Sequence, residues 1–288
     1  MRLLWSTFGY NRLPIAGKRL QLHRANASSA SSSAEPTRWL IQGASRGLGL
    51  EYASQILNRY DNSTVIASCR NPSKAEGLRE LKSLYGDRLD IVCLDTTRDE
   101  DIQRAFEHVS SRYGKLDRLI NCSAILHDDS MKPETSYTRV NRRNLMRSFE
   151  TNAVGPILTC QAFLPLLIEG GKDSARPAII ANMSARVSSI SDNRLGGWYS
   201  YRSSKTALNQ LTKCLSLELA RRGHNVAAIL LHPGTCDTDL SKPWHRNVPD
   251  GKLFSRERGV QQLLEIIESC TLDENGQFFA WDRSIIEW

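Results

Sequence analysis

A tyrosine and a lysine four residues apart are the side chains of this sequence best suited to acid–base chemistry. Tyr201 and Lys205 open the segment 207–220, in which apolar residues recur at helical spacing. Residues four apart lie on one face of a helix, so the phenol and the ammonium point into the same space. A nearby cation favours the phenolate and brings the phenol toward the range of general acid–base catalysis. The pair predicts proton transfer, although a solvated surface pair is the usual explanation of this spacing alone.

A glycine-rich turn near the beginning of the chain has the features of a dinucleotide site. It follows the apolar run 39–42 and has the spacing G-x-x-x-G-x-G. Glycine allows a tight turn and a close approach of backbone to pyrophosphate because it has no Cβ. The helix that follows offers free N–H groups to the phosphates. The residues assigned to this site are Gly43, Ser45, Arg46, Gly47, Leu48 and Gly49. A glycine-rich loop without a ligand is the alternative.

The end of the second predicted strand indicates which dinucleotide binds. NAD enzymes place a carboxylate there to bind the ribose 2′-hydroxyl. This sequence has Arg70 and no acidic residue at 68–71, and Arg46 supplies a second cation in the glycine loop. A guanidinium binds phosphate through its planar fork of donors. The two arginines therefore predict NADP(H), with two merely solvated arginines as the alternative.

These candidate residues lie at the ends of elements that alternate along the chain. The predicted strands are 39–42, 64–68, 89–94, 116–121, 178–182, 226–231 and 277–281, and the predicted helices are 47–60, 73–84, 98–113, 141–168, 198–222 and 256–270. Strands that are apolar throughout are typical of a parallel sheet with helices on both faces. We therefore predict an α/β fold, a single doubly wound Rossmann-type domain with a seven-stranded parallel sheet. Ligands of such a fold bind at the C-terminal ends of the strands.

The order of motifs at successive strand ends resembles the short-chain dehydrogenase/reductase superfamily across residues 37–288. The matching positions are the glycine loop, Asp95, Asn121, 150–152, Ser184, Tyr201, Lys205 and 232–235. Within the superfamily, residues 196–209 resemble the C-factor/sniffer-like carbonyl reductases. The resemblance implies that a hydride passes between NADP(H) and a small-molecule carbonyl or alcohol substrate while Tyr201 acts as general acid/base.

The resemblance also implies a role for each further position. Lys205 would lower the phenol pKa and hold the nicotinamide ribose, and Asn152 would bend its helix and keep a water in a proton relay. The remaining implied cofactor contacts are Asp95, Thr96, Asn121, Pro233, Gly234 and Thr235, with Thr238 as an additional candidate. Asn121 would also brace the central strands. A helix-capping role is the alternative for Asp95, and an ordinary polar helix position is the alternative for Asn152.

Two segments depart from the superfamily's pattern. Residues 121–124 read Asn-Cys-Ser-Ala where the family usually carries Asn-Asn-Ala-Gly, which places Ala124 at a close approach to the cofactor. Residues 182–185 read Asn-Met-Ser-Ala where the family writes Asn-x-Ser-Ser, so Ala185 occupies the position of the carbonyl-binding serine. Adjacent strand residues point to opposite faces, and a local twist is needed to bring Ser184 to the substrate. Ser184 is our candidate, with Ser188 and Ser189 as alternatives.

Composition limits the classes of partner. The net charge is +7, but residues 1–34 hold five basic and no acidic residues, which leaves 33 basic against 31 acidic residues in the rest. That balance does not favour nucleic acid or an anionic membrane surface as a partner. No uninterrupted apolar run of about 18 residues predicts a membrane span. The seven cysteines are scattered without a C-x-x-C pair, which indicates reduced thiols in an intracellular compartment rather than disulfides or a structural zinc.

Residues 1–34 are interpreted as a leader that precedes a domain at 35–288. The leader carries arginines and no acidic residue and ends in a Ser/Ala run, which is typical of an organelle transit peptide. Arginines and bulky apolar residues outnumber hydroxyls before Ala27, which favours the mitochondrial matrix over a plastid. A disordered tail without an address, and hence a cytoplasmic protein, is the alternative.

The substrate and the assembly are less constrained. Residues 236–254 are expected to form a flap over the active site, and the tail 281–288 to close the pocket or an interface. His245 in the flap has no partner at metal-binding spacing, so no metal site is predicted. The superfamily's dimers and tetramers use two long helices, which implies a homodimer or homotetramer through 141–168 and 198–222. A non-catalytic NADP(H)-binding sensor or scaffold is the alternative function, favoured by Ala185 and opposed by the intact Tyr201 and Lys205.

Overall fold

A parallel sheet forms the centre of the protein. A computed structural model of the chain describes residues 36–288; the predicted leader at 1–34 lies outside the described residues. The strands are β1 (Thr37–Gln42), β2 (Ser63–Cys69), β3 (Leu89–Cys93), β4 (Arg118–Asn121), β5 (Ala178–Met183), β6 (Val226–His232), β7 (Thr235–Cys236), β8 (Leu253–Phe254) and β9 (Phe278–Ala280). Seven of them form one sheet in the order β3-β2-β1-β4-β5-β6-β9, and β7 pairs with β8 separately. The predicted doubly wound fold with a seven-stranded parallel sheet is confirmed.

Helices cover both faces of this sheet. They are α1 (Gly47–Arg59), α2 (Glu76–Tyr85), α3 (Asp99–Tyr113), α4 (Arg142–Phe149), α5 (Gly155–Gly171), α6 (Tyr199–Arg221) and α7 (Arg256–Ser269). Trp39 and Ile41 of β1 face the core formed with α1, α2 and α7, whereas Leu40 faces the core formed with α3, α5 and α6. Because successive residues alternate between two apolar layers, the middle of each long strand is apolar on both faces.

The helix predicted at 141–168 is interrupted. A π-helical turn, Glu150–Val154, separates α4 from α5, and the N–H of Gly155 donates to the carbonyl of Glu150. Pro156 follows and has no N–H, so the carbonyl of Asn152 receives no bond from the residue four positions ahead. The regular hydrogen-bond pattern of the helix is therefore interrupted at Asn152. Elsewhere, α2 begins at Glu76 rather than at 73 because Pro72–Lys74 forms its own short turn.

One helical run of the described residues, Arg142–Gly171, is long and apolar enough to cross a membrane by length and composition alone. Its apolar side chains pack in the core of the domain, where Phe163 and Leu167 are fully buried against the sheet and α3. We attribute the apolarity of this run to packing in the core.

Candidate active site

Tyr201 and Lys205 lie in the first two turns of α6, which begins at Tyr199. Trp198 immediately precedes the helix with a left-handed φ of 51°, and Gly196 and Gly197 before it also have positive φ. A bulky residue in this conformation is strained and persists only where its surroundings hold it. The chain therefore turns sharply into α6 at the residue before the helix.

A buried carboxylate holds this turn. The N–H of Trp198 donates to the carbonyl of Glu134 at 2.6 Å, and the N–H of Ser200 donates to the Glu134 carboxylate at 3.1 Å. The hydroxyl of Ser200 donates to the same carboxylate. A negative charge at a helix N-terminus is stabilised by the helix dipole. Sequence reasoning missed Glu134 because a single glutamate in a polar loop belongs to no periodic pattern.

Burial governs the acidity of Tyr201. Its side chain is 7% exposed, and this burial raises the pKa of the phenol well above its ordinary value, with no cation among the causes. Lys205 is buried too, and its ammonium donates to the carbonyl of Met183 at 2.7 Å. Burial lowers the pKa of Lys205 to about 8. The expected lowering of the phenol pKa by Lys205 is therefore not seen: burial alone shifts the phenol, and the Lys205 ammonium donates to the Met183 carbonyl. Tyr201 is protonated at neutral pH.

Asn152 connects the interrupted helix to the loop after β4. Its side-chain oxygen accepts from the N–H of Ile125 at 2.7 Å, and its amide donates to the carbonyl of Ile125 at 2.9 Å. The amide also donates to the hydroxyl of Ser204 at 3.0 Å, one residue before Lys205. Asn152 is fully buried. It thus fixes α6, the π turn and the loop in one arrangement.

Asn121 makes a second buried connection. Its amide donates to the side-chain oxygen of Asn182 at 2.8 Å, across directly paired positions of β4 and β5. The amide of Asn182 donates in turn to the hydroxyl of Thr212 on α6 at 2.8 Å. This is the bracing of central strands that the resemblance implied for Asn121.

The hydroxyl of Ser184 is engaged within the protein. It donates to the side-chain oxygen of Asn209 at 2.6 Å. The hydroxyl of Ser188 donates to the carbonyl of Ala185 at 2.6 Å and accepts from the Asn209 amide at 2.7 Å. Ser184 and Ser188 therefore join the segment after β5 to α6, and the role of Ser184 toward a carbonyl substrate stays a prediction.

The glycine loop has the backbone that its spacing predicted. Gly43 and Gly47 have φ of +84° and +57°, and a Cβ on Gly49 would lie 2.2 Å from the carbonyl oxygen of Gly43. The side chains of Ser45 and Leu48 are half-buried in this turn. Helix α1 has no side-chain cap and no acidic residue in its first turn, so its first N–H groups are available to an anion.

The two arginines assigned to the 2′-phosphate are exposed. Arg46 contacts Asp239 of the flap, with 3.4 Å between the guanidinium nitrogen and the carboxylate oxygen. Arg70 is the residue directly after β2. Asp95, by contrast, accepts from the N–H and the hydroxyl of Thr97 at 3.1 and 2.8 Å; this is a local turn, and α3 begins later with no side-chain cap. Thr96 is buried and packs against Gly155.

The predicted flap has a fixed base. Gly234 has a φ of +75°, and a Cβ there would lie 2.7 Å from the Phe254 ring. Thr235 pairs with Leu253 where β7 meets β8. Pro233 precedes this turn, and the ring of Phe254 packs edge-on against Trp281 with 4.8 Å between centroids. The base of the flap is thus joined to the C-terminal tail.

Three aromatic side chains, which we call the aromatic wall, surround the approach to Tyr201. They are His127, Trp198 and Trp244, from the loop after β4, the turn before α6 and the flap. The ring centroids lie 4.9 Å apart for Trp198 and Trp244 and 5.3 Å apart for His127 and Trp244. Trp198 also meets the Tyr201 ring edge-on at 6.3 Å. These contacts join segments far apart in sequence, which is why sequence reasoning missed the wall.

The residues present fit a nicotinamide dinucleotide. The uncapped start of α1 and the close backbone packing at Gly43 and Gly49 suit a pyrophosphate. The buried hydroxyl of Ser123, which has no hydrogen-bond partner in the described part of the chain, lies against Gly43 in this loop. Within residues 36–288, no group of three or more His, Cys, Asp or Glu side chains is arranged to hold a metal ion.

Comparisons with known proteins agree on one family. The family model described as short chain dehydrogenase matches residues 38–249. The 1-hydroxy-2-glutathionyl-2-methyl-3-butene dehydrogenase of Rhodococcus sp. (strain AD45) is 27% identical, covering 86% of this chain and 98% of that protein. Among solved structures, NADPH-bound carbonyl reductase from chicken fatty liver has a TM-score of 0.79 and 29% identity. Carbonyl reductase Sniffer of D. melanogaster has a TM-score of 0.78 and 27% identity. Each alignment covers 88% of this chain and all of the other.

Proposed function

Because this chain belongs to the short chain dehydrogenase family of oxidoreductases, we propose that it uses NADPH to reduce the carbonyl group of a small molecule, with Tyr201 as the proton donor. The observation that carries this proposal is the environment of Tyr201. Its hydroxyl makes no hydrogen bond within the described residues, although the ring is buried. The ring is thus held by packing while the hydroxyl is uncommitted, which suits a group that donates a proton to a bound substrate.

The chemistry divides between cofactor and protein. A bound nicotinamide supplies the hydride. Tyr201 donates a proton from its hydroxyl oxygen to the carbonyl oxygen as negative charge develops there. Lys205 lies one helical turn beyond Tyr201, and we assign to it the positive charge that favours the phenolate once this donation has formed it. Asn152 holds the loop at Ile125 and the helix at Ser204 in fixed positions, so that the donor is oriented before the substrate arrives.

The preference for NADP(H) rests on the arginines. Arg46 and Arg70 are the cations at the end of the site where a 2′-phosphate would bind, and β2 ends without a carboxylate. Two arginines suit a phosphate dianion through charge-assisted hydrogen bonds. The chicken carbonyl reductase named above is NADPH-bound, which supports the same choice.

The protonation of Tyr201 suits the reductive step. Burial raises the pKa of this phenol, so at neutral pH it holds the proton that a carbonyl reduction consumes. Oxidation of an alcohol uses the phenolate as base, a form that burial disfavours.

The second candidate is a non-catalytic NADP(H)-binding sensor. It is favoured by the absence of a serine at Ala185 and by the hydrogen bonds that occupy Ser184 and Ser188. Missing one donor to the carbonyl oxygen costs about 3 kcal/mol of transition-state stabilisation, a factor of about 100 in rate. Such a loss slows a reductase without abolishing it, so we rank the sensor second.

The deciding experiment follows NADPH consumption over a panel of aldehydes, quinones and α-dicarbonyls. The variants are Tyr201→Phe and, as matched control, Tyr199→Phe, since Tyr199 is exposed and two residues away. We expect Tyr201→Phe to lose about 10²- to 10⁴-fold in turnover while NADPH still binds in a fluorescence titration. Tyr199→Phe should behave as the parent protein. Tight NADPH binding without turnover on any substrate would favour the sensor.

Localisation and assembly are further parts of the proposal. We propose that residues 1–34 direct the protein to the mitochondrial matrix, which is tested by imaging a fluorescent fusion with and without those residues.

We propose a homodimer or homotetramer through α4, α5 and α6, which light scattering of the purified protein measures directly.

A further inference from the structure

Two cysteines that are far apart in the sequence are paired across the sheet. Cys69 ends β2, Cys93 ends β3, and the two are register partners in the parallel pair. Neighbouring strands lie about 4.8 Å apart, which is within the range of Cα–Cα separations of about 4.4–6.8 Å that disulfides span. The spacing of cysteines in the sequence, with no C-x-x-C pair, gave no sign of this juxtaposition.

Both side chains point to the same face of the sheet. Cys69 belongs to the core beneath α1 and α2, and so does Leu89 of β3. Side chains alternate along a strand, so Cys93, four residues after Leu89, shares that face. Both cysteines are the last residues of their strands. The shared face and the Cα separation of neighbouring strands therefore meet the geometric requirements of a disulfide.

The two thiols differ in accessibility. Cys93 is exposed and Cys69 is buried, and both are free thiols. Among the cysteines of the described residues only Cys214 is also exposed; it lies on α6 and contacts the Gln210 amide. An accessible thiol is the one that an oxidant reaches, and a neighbouring thiol is what resolves the oxidised product. Cys93 and Cys69 combine these two properties.

The pair adjoins the residue that we assign to the 2′-phosphate. Arg70 directly follows Cys69, and the Cys93 thiol donates to the carbonyl of Arg70 at 3.5 Å. The N–H of Leu94 donates to the carbonyl of Cys69 at 3.0 Å, so the ends of the two strands are joined on both sides of the pair. A new bond between the sulfur atoms would remove the thiol hydrogen bond to Arg70 and shift this peptide.

We propose that Cys69 and Cys93 are a redox modification site, which forms a reversible disulfide with a peroxide as oxidant and thereby weakens NADP(H) binding. The Cys93 thiolate attacks the O–O bond and becomes a sulfenic acid, with release of one water after protonation. The Cys69 thiolate then attacks the Cys93 sulfur and expels the oxygen as a second water. Two thiols lose two electrons and two protons, and hydrogen peroxide is reduced to two waters. The effect on cofactor binding rests on the proposed function, whereas disulfide formation does not.

The test treats the full-length protein with hydrogen peroxide and maps its tryptic peptides. Cys69 is the only cysteine of the peptide 60–70, and Cys93 is the only one of the peptide 89–98. We expect these two peptides to appear as one linked species that dithiothreitol separates. The link should be absent in Cys93→Ser and present in the matched control Cys214→Ser.

The same samples give the effect on cofactor binding. We expect oxidation to weaken NADPH binding about tenfold in a fluorescence titration, the equivalent of one charge-assisted hydrogen bond, and to leave NADH binding unchanged. Cys93→Ser should keep its NADPH affinity after peroxide.

Three results would overturn parts of this proposal. If Cys93 is oxidised to the sulfinic acid and no linked peptides appear, the proposal that a disulfide forms is wrong. If the linked peptides form but the affinity for NADPH stays unchanged, the disulfide does not regulate cofactor binding. A reduced protein that binds no NADPH would overturn the proposed function and that control together, while the linked peptides would still decide whether the disulfide forms.

Discussion

The two ends of the candidate site are built differently. At the proton-transfer end, Asn152, Tyr201 and Lys205 are all less than 10% exposed, and Asn152 and Lys205 are tied to backbone groups. At the phosphate end, Arg46 and Arg70 are exposed, and the carboxylate that pairs with Arg46 is itself 70% exposed. The side chains of the proton-transfer end are fixed by burial and hydrogen bonds in the core, whereas the arginines of the phosphate end lie at the surface.

This difference separates two physical tasks. A proton donor must be oriented to within a fraction of an ångström, which buried hydrogen bonds achieve because they have few alternative partners. A phosphate carries its own charge and geometry, so flexible arginines suffice to bind it. We therefore expect substitutions at the buried end to affect turnover and folding together, and substitutions at the exposed end to affect affinity alone.

Lys205→Met should produce the largest effect of the variants that test this comparison. Without the ammonium, the phenolate left by proton donation lacks a compensating charge, and we expect turnover to fall about 100-fold. Exposed Lys172 provides the matched control, since it lies outside the site. Turnover of Lys172→Met should equal that of the parent protein in the NADPH assay.

The burial of Lys205 also predicts that the difference in unfolding free energy between the parent protein and Lys205→Met depends on pH. Burial lowers the native pKa of Lys205 to about 8 from an ordinary 10.5. As the pH rises, the native state therefore loses this proton at a lower pH than the unfolded state. The cost of burying the charge is full below pH 8 and disappears above about pH 10.5. Between pH 7 and 9.5, the parent should therefore gain about 2 kcal/mol of unfolding free energy relative to Lys205→Met in urea titrations. A constant difference would show that Lys205 keeps its ordinary pKa.

The double variant Arg46→Ala, Arg70→Ala tests the exposed end. We expect the dissociation constant for NADPH to rise about 10- to 100-fold, because two charge-assisted hydrogen bonds are lost. NADH binding and thermal stability should not change, and the effect should shrink at high salt. Arg79→Ala is the control, since Arg79 is exposed on α2. Equal losses for NADPH and NADH would contradict the assignment of these arginines to the 2′-phosphate.

Ser184→Ala should have the smallest effect on turnover. The substitution leaves the side-chain oxygen of Asn209 without its donor, so we expect a loss of about 1–3 kcal/mol in unfolding free energy with unchanged turnover. Half-buried Ser203 on α6, whose hydroxyl bonds within its own helix, is the control, and Ser203→Ala should be near neutral in both measurements. A large fall in turnover with unchanged stability would restore Ser184 as the carbonyl donor.

Much of the fold follows from local sequence patterns. Alternation of apolar runs and helical periods placed the sheet strands and most of the helices, because burial on both faces of a parallel sheet leaves a signal in each element. The glycine loop and the Tyr201–Lys205 pair were predictable for a similar reason. Each is a short segment whose chemistry depends on neighbours within a few residues, such as the positive φ of Gly43 and Gly47.

Contacts between distant segments were decided by tertiary structure alone. Glu134 caps a helix that begins 65 residues later, and Ser184 donates to Asn209, 25 residues further along the chain. The raised pKa of Tyr201 belongs to the same class, since the number of atoms that bury a phenol depends on every segment packed around it.

The sequence by itself determined the fold, the nucleotide loop and the spacing of the two catalytic candidates, because backbone conformation and periodic burial are encoded over a few residues. Only the tertiary structure decided that Ser184 bonds to Asn209, that burial raises the pKa of the Tyr201 phenol and that Cys69 is the register partner of Cys93. These outcomes depend on strand register and on desolvation, which arise when segments far apart in the chain pack together.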